Sequence, residues 1–183
     1  MSAPTFMHRF EAGTRQGATP VLLLHGTGGD ENDLLSLGRA IAPDAALLSP
    51  RGKVLEHGMP RFFRRLAEGV FDEDDVRHQA NALADFVSDA RTRYRMAAPI
   101  ALGYSNGANI AAAMLLLRPD TLDSAILLRA MVPLSHAPPV DLAGKPVLIL
   151  SGTDDPIITP AKATQLASML QAAGAKEIGR AHV

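Results

Sequence analysis

The sequence predicts an α/β fold built on an open, mostly parallel, doubly wound sheet. Three observations predict it. Short apolar runs at Pro20–Leu24, Ala45–Ser49, Pro99–Leu102, Ser124–Leu128 and Pro146–Leu150 are continuous rather than alternating, as strands buried on both faces should be. Helical patterns over 32–40, 72–93, 108–117 and 160–173 alternate with those runs, which argues for parallel pairing through helical crossovers. The residues with chemistry to offer stand in Gly-rich or acidic turns just past the runs, where such a fold binds its ligands.

Length and composition set the bounds. A chain of 183 residues makes one domain with a real core, and 47% of its residues are hydrophobic. A formal net charge of −1 offers no electrostatic case for nucleic acid or an anionic membrane as partner. With no Cys there is no disulfide, no thiolate metal site and no cysteine nucleophile. No metal and no cofactor is expected. Met1 to Phe10 holds no long apolar run, so no signal peptide is read there, and no stretch approaches a transmembrane span. The default location is the cytoplasm, without stable membrane insertion. A homodimer is compatible with the composition.

Taken in order, Thr5–Glu11 is a candidate first edge strand, and Ala12–Thr19 is turn-like. The run 20–24 ends at His25-Gly26-Thr27-Gly28-Gly29-Asp30, a loop that lets backbone approach a ligand but lacks the Lys-Ser/Thr ending of a phosphate loop. His25 reads better as a brace for this loop than as a catalytic base. Residues 32–40 form a helix with Leu34, Leu35, Leu37 and Ile41 on its apolar side and Asp30 or Asn32 as cap. After the strand 45–49 comes a long irregular segment, 51–69, with the cluster Arg61-Phe62-Phe63-Arg64-Arg65. Its Met59, Phe62 and Phe63 either wall a substrate pocket or form a local hydrophobic plug beside solvated arginines. The helix 72–93 carries Asp72 to Asp75 at its start and Arg91 and Arg93 at its end, with Val76, Ala80, Leu83, Phe86, Val87 and Ala90 as the buried stripe. The acidic run suits a helix N-terminus better than a metal. Met131–Leu134 should lie near the mouth of the site, and Gly174 stops the helix 160–173.

The stretch that organises the chain is Gly103-Tyr104-Ser105-Asn106-Gly107, set between the strand 99–102 and the small-residue helix from Ala108. This is the strand–turn–helix context of a nucleophile elbow. Residues with a Cβ at the two glycine positions would clash with the neighbouring strand and helix. The turn lifts the Ser105 hydroxyl above the sheet and points the Asn106 N–H to where an oxyanion would form. The loop after the first buried strand supplies the other donor, Thr27 first and Gly28 second. Past the strand 146–150, Asp154 and Asp155 are placed to orient a histidine, with Asp155 the choice. Nucleophile before acid is the order of the α/β-hydrolase arrangement.

These residues resemble a family. The segments His25–Leu34, Ser49–Gly52, Gly58–Phe63, Gly103–Asn109 and Gly152–Ile157 are similar to those of the bacterial phospholipase/carboxylesterase family of α/β-hydrolases. That family is related to the acyl-protein thioesterases and includes hydroquinone-stress-associated hydrolases. The resemblance reaches to about Ala175. It implies a serine esterase acting on carboxylic esters or thioesters through an acyl-enzyme, with no metal or cofactor. By position Ser105 matches the nucleophile, Asp155 the acid, and Thr27 and Asn106 the oxyanion donors. Two other readings are a non-enzymatic ligand-binding relative and a dienelactone-hydrolase-like enzyme; the latter usually employs a Cys that is absent here.

The C-terminus departs from the family, whose members continue into another strand, a loop bearing the catalytic histidine and a closing helix. Ile178–Val183 is what one reading frame of a common sequencing adapter encodes. The expectation is therefore a single incomplete domain over 1–177, lacking its last strand and helix, with a non-native tail at 178–183. Such a chain would lack the catalytic base, would be inactive or nearly so, and would leave 147–150 as an exposed edge strand. His182 is the one histidine near the right place in sequence.

Overall fold

The computed structural model describes residues 5–182, with residues 177–182 described by their backbone course alone. The strands are β1 His8–Glu11, β2 Val21–Leu24, β3 Leu47–Pro50, β4 Val54–Glu56, β5 Met59–Arg61, β6 Arg65–Ala67, β7 Val70–Phe71, β8 Ile100–Tyr104, β9 Ser124–Leu128, β10 Pro146–Ser151 and β11 Lys176–His182. The helices are α1 Leu35–Ile41, α2 Glu73–Tyr94, α3 Asn106–Leu117 and α4 Pro160–Ala172, with a 3-10 turn at Pro119–Thr121.

One sheet runs in the order β1-β3-β2-β8-β9-β10-β11. Only the edge pair β1–β3 is antiparallel; the other pairs are parallel. The chain leaves β2 to one side to make β3 and returns to the other side to make β8. The crevice between β2 and β8 is thus the topological switch point, where open α/β sheets bind ligands.

Alternate residues of the strands face two different layers. Leu22, Leu24, Leu48, Ala101, Ala125, Leu127, Val147 and Ile149 join one core with α2, α3 and α4. The α2 stripe read from the sequence is buried in full, with Ala84 added to it. α3 is sandwiched and carries apolar or small residues all round, so Asn106 to Leu116 are all buried. On the opposite face Val21, Leu23, Leu47 and Leu102 pack with Leu34 and Leu35 at the start of α1. Farther along that face Ile126, Leu128, Leu148 and Leu150 are only partly covered.

Four features differ from the sequence reading. The segment 51–71 is not irregular: it folds into two hairpins, β4–β5 and β6–β7. Neither Asp30 nor Asn32 caps α1, whose N-cap is Leu34; Asp30 instead accepts the Asn32 N–H at 2.7 Å in the preceding turn. Asp72 is the N-cap of α2 rather than part of its first turn, and its side chain accepts the Asp75 N–H. A strand does follow α4. β11 runs parallel to β10, Pro146 opposite Lys176 and Ser151 opposite His182, so β10 is an inner strand and not the exposed edge anticipated. The stretch Lys-Glu-Ile-Gly-Arg-Ala-His has one large apolar residue and no continuous apolar run, so its pattern gave no sign of a strand. The His182 side chain lies outside the described residues.

Candidate active site

The C-terminal ends of β2 and β8 lie side by side, Leu24 opposite Gly103. The loop His25–Gly29 and the turn at Ser105 therefore meet at the switch point. Ser105 has φ 52° and ψ −113°, a region that L-residues avoid and that costs on the order of 1–3 kcal/mol. Two hydrogen bonds hold it there: the Ser105 N–H donates to the Leu128 carbonyl at 2.8 Å, and its own carbonyl accepts the Asn109 N–H at 2.9 Å. The flanking glycines are sterically required. A Cβ on Gly107 would lie 2.0 Å from the Leu24 carbonyl oxygen, and one on Gly103 would lie 2.5 Å from the Gly107 oxygen.

The oxyanion side separates its two candidates. The Gly28 N–H donates to the Pro60 carbonyl at 3.0 Å. The Thr27 N–H donates to no acceptor among the described residues, and its hydroxyl accepts from Arg61 Nη1 at 2.6 Å. Asn106 opens α3, where a main-chain N–H has no partner within the helix. Its side-chain Oδ1 accepts the Phe62 N–H at 2.7 Å and so ties the hairpin segment to the elbow.

His25 braces the loop, as the sequence suggests. It is 1% exposed. The Gly52 N–H donates to its Nε2 at 2.9 Å, so the ring proton sits on Nδ1 and is donated to the Gly26 carbonyl at 2.7 Å. Burial pushes its pKa below the ordinary histidine value. Both nitrogens are occupied, and a neutral ring is what this geometry needs.

Asp155 sits in the loop after β10, and its side chain is 6% exposed. One oxygen accepts the N–H groups of Ile157 and Ile158 at 2.9 and 3.0 Å. The other accepts from Arg129 Nε, and Arg129 Nη1 donates to the Tyr104 hydroxyl at 3.1 Å. The Arg129 hydrogen bond, ahead of the two backbone donors, holds the Asp155 carboxyl well below the usual carboxylate range, and Asp155 in turn raises the Arg129 pKa. Asp154 is exposed. No described histidine side chain hydrogen-bonds Ser105 or Asp155.

A cavity of about 90 Å³ opens beside Ser105. Thr27 and Asn106 line it, and so do Arg61, Arg65, Phe71 and Arg129. Phe62 and Phe63 do not line it: they are core residues, 2% and 0% exposed. Phe62 packs against the His25 ring at 4.7 Å and Phe63 edge-on against Phe71 at 5.0 Å. Met59 is 39% exposed and stands over Gly28. The plug reading of these aromatics matches this geometry, with Arg64 exposed and Arg65 partly so, but Arg61 is not solvated. Arg61 is 3% exposed, and burial lowers its pKa. Sequence reasoning gave no binding role to Arg61, Arg65 or Arg129. The available signal was position: Arg129 directly follows β9, at the end of the sheet where ligands bind.

No protein-family model matches the chain. The protein named "Putative hydrolase MhqD" of Bacillus subtilis (strain 168) is 50% identical over 170 residues, 92% of this chain and 84% of that one. The solved Bacillus cereus carboxylesterase is 44% identical with a TM-score of 0.93, covering 97% of this chain and 84% of its own. A carboxylesterase from Mesorhizobium loti is 34% identical with a TM-score of 0.90, covering 96% and 84%. With an elbow, an acid loop and a sheet order of this kind, and relatives this similar over nearly the whole chain, the protein belongs to the bacterial phospholipase/carboxylesterase family of α/β-hydrolases.

Proposed function

We infer that the protein is a serine hydrolase that cleaves small carboxylic esters or thioesters through an acyl-enzyme at Ser105. The observation that carries this reading is the strained Ser105 backbone between two glycines that tolerate no side chain. Strain of this kind persists where a hydroxyl must be presented, and a plain turn has no use for it. Ser105 Oγ attacks the ester carbonyl, a histidine removes its proton, and the proton passes to the departing alcohol or thiol. The N–H groups of Thr27 and Asn106 hold the tetrahedral oxyanion. Water then attacks the acyl-enzyme and the same histidine relays its proton. Asp155, ionised and fixed by Arg129 and two amides, orients that histidine and balances its charge. The base is assigned to a histidine beyond the described side chains.

The test is hydrolysis of a short p-nitrophenyl ester by the purified protein. Ser105→Ala is expected to lower kcat on the order of 10⁴-fold to 10⁶-fold, and Asp155→Asn about 10⁴-fold. Turnover unchanged in Ser105→Ala overturns the reading.

A further inference from the structure

We propose that the cavity beside Ser105 selects small esters that carry a carboxylate, held by Arg61 and Arg65. This rests on the hydrolase reading of Ser105 and adds a substrate class to it. The charges around the cavity are arranged in two layers. The guanidinium-bearing residues Arg61, Arg65 and Arg129 line it, while Glu56 and Asp155, the carboxylates that pair with them, are not part of its wall. An incoming ligand therefore meets cations first.

The Arg61 and Arg65 side is short of negative charge. A single carboxylate, Glu56, serves both: its Oε1 accepts from Arg65 Nε at 2.9 Å, and its Oε2 lies 3.4 Å from Arg61 Nη1. Two cations against one paired anion leave about one positive charge on this side before the exposed Glu68 is counted. Arg61 spends Nε on the Phe63 carbonyl at 3.1 Å and Nη1 on Thr27 Oγ1 at 2.6 Å. Its Nη2 donates to no described residue. A guanidinium buried this deeply is costly unless its remaining donors are met. A carboxylate meets them, and the planar fork of arginine matches its two oxygens. Glu68 is the one carboxylate that lines the cavity; it is exposed and forms no ion pair among the described residues. It stands in water, where the high dielectric weakens its repulsion.

The contact between Arg61 and Thr27 fixes the spacing. The same residue that offers its N–H to the oxyanion touches the candidate carboxylate anchor through its hydroxyl. The acid group must then sit a short chain away from the ester carbonyl, as in a monoester of a short dicarboxylic acid. The volume of about 90 Å³ favours a small ester; pockets for larger ligands run from roughly 300 Å³.

Calorimetric titration with monomethyl succinate, and with methyl butyrate as its neutral counterpart, in the Ser105→Ala background where the esters bind without turnover, tests the proposal. Monomethyl succinate should bind at least tenfold more tightly than methyl butyrate. Arg65→Gln should weaken it tenfold or more, and Arg65→Lys, which keeps the charge, should recover part of the loss. Arg65 is partly exposed, so both variants should keep the wild-type circular dichroism. Equal binding of the two esters, no binding of monomethyl succinate, or unchanged affinity in Arg65→Gln overturns the proposal. Because Ser105→Ala forms no acyl-enzyme, the titration reads binding alone, apart from any hydrolysis at Ser105. Failure of the anion site and failure of the hydrolase reading are therefore seen separately.

Discussion

Ser105 holds a conformation that glycine would adopt without strain. Replacing it should therefore split two effects that usually travel together. Ser105→Gly should be more stable than Ser105→Ala by about 1 kcal/mol, since only the former releases the backbone; urea denaturation of the two variants measures the difference. Gly107→Ala should be severe, because its Cβ would sit 2.0 Å from a main-chain oxygen of β2 that cannot swing away. A loss of about 3 kcal/mol is expected in the same assay. At His25 the sign of the pH effect follows from burial. Its folded pKa lies below the unfolded value, so the unfolded chain takes up the proton first. Stability should be full above about pH 6.5 and fall as the pH drops below it toward the folded pKa. Protonated Nε2 could no longer accept the Gly52 N–H. His25→Gln should lose less stability than the parent between pH 7 and pH 5.5. All three residues were legible in the sequence, because short motifs specify them. Arg61 was not. A single arginine in a run of arginines and phenylalanines looks solvated until the hairpin that buries it is seen.

At the level of elements, strands β2, β3, β8, β9 and β10 were legible within a residue or two. Continuous apolar runs can hardly be anything else in a sheet with helices on its faces. The hairpins β4–β5 and β6–β7 were not. They are two or three residues long per strand, too short for an alternating pattern, and tertiary ties hold them. Asn106 grips Phe62, and Asp75 accepts the Arg64 N–H at 2.6 Å. β11 was missed because Lys-Glu-Ile-Gly-Arg-Ala-His carries no apolar run. Removing residues 176–183 should uncover the β10 edge, together with the apolar pocket formed by Val147, Ile149, Ala167 and Leu170. The shortened chain should aggregate several-fold faster than the parent, as light scattering on warming would show. Equal aggregation of the two chains would mean that β11 protects nothing.

Across the whole molecule, the sheet order decides where chemistry is done. Because β2 is followed on one side by β3 and on the other by β8, the loop with Thr27 and the turn with Ser105 are neighbours despite their distance in sequence. β9 and β10 then bring Arg129 and Asp155 to the same end. Class and strand alternation could be read from the chain, but the charge arrangement of the cavity could not. That arrangement depends on which arginines the hairpins turn inward. The central claim is that this end of the sheet activates Ser105. The most direct measurement is fluorophosphonate labelling of the purified protein, with the modified peptide mapped by mass spectrometry. The account predicts one adduct, on Ser105, lost in Ser105→Ala and formed more slowly in Asp155→Asn. An adduct on any other residue, or none on the folded protein, would contradict it.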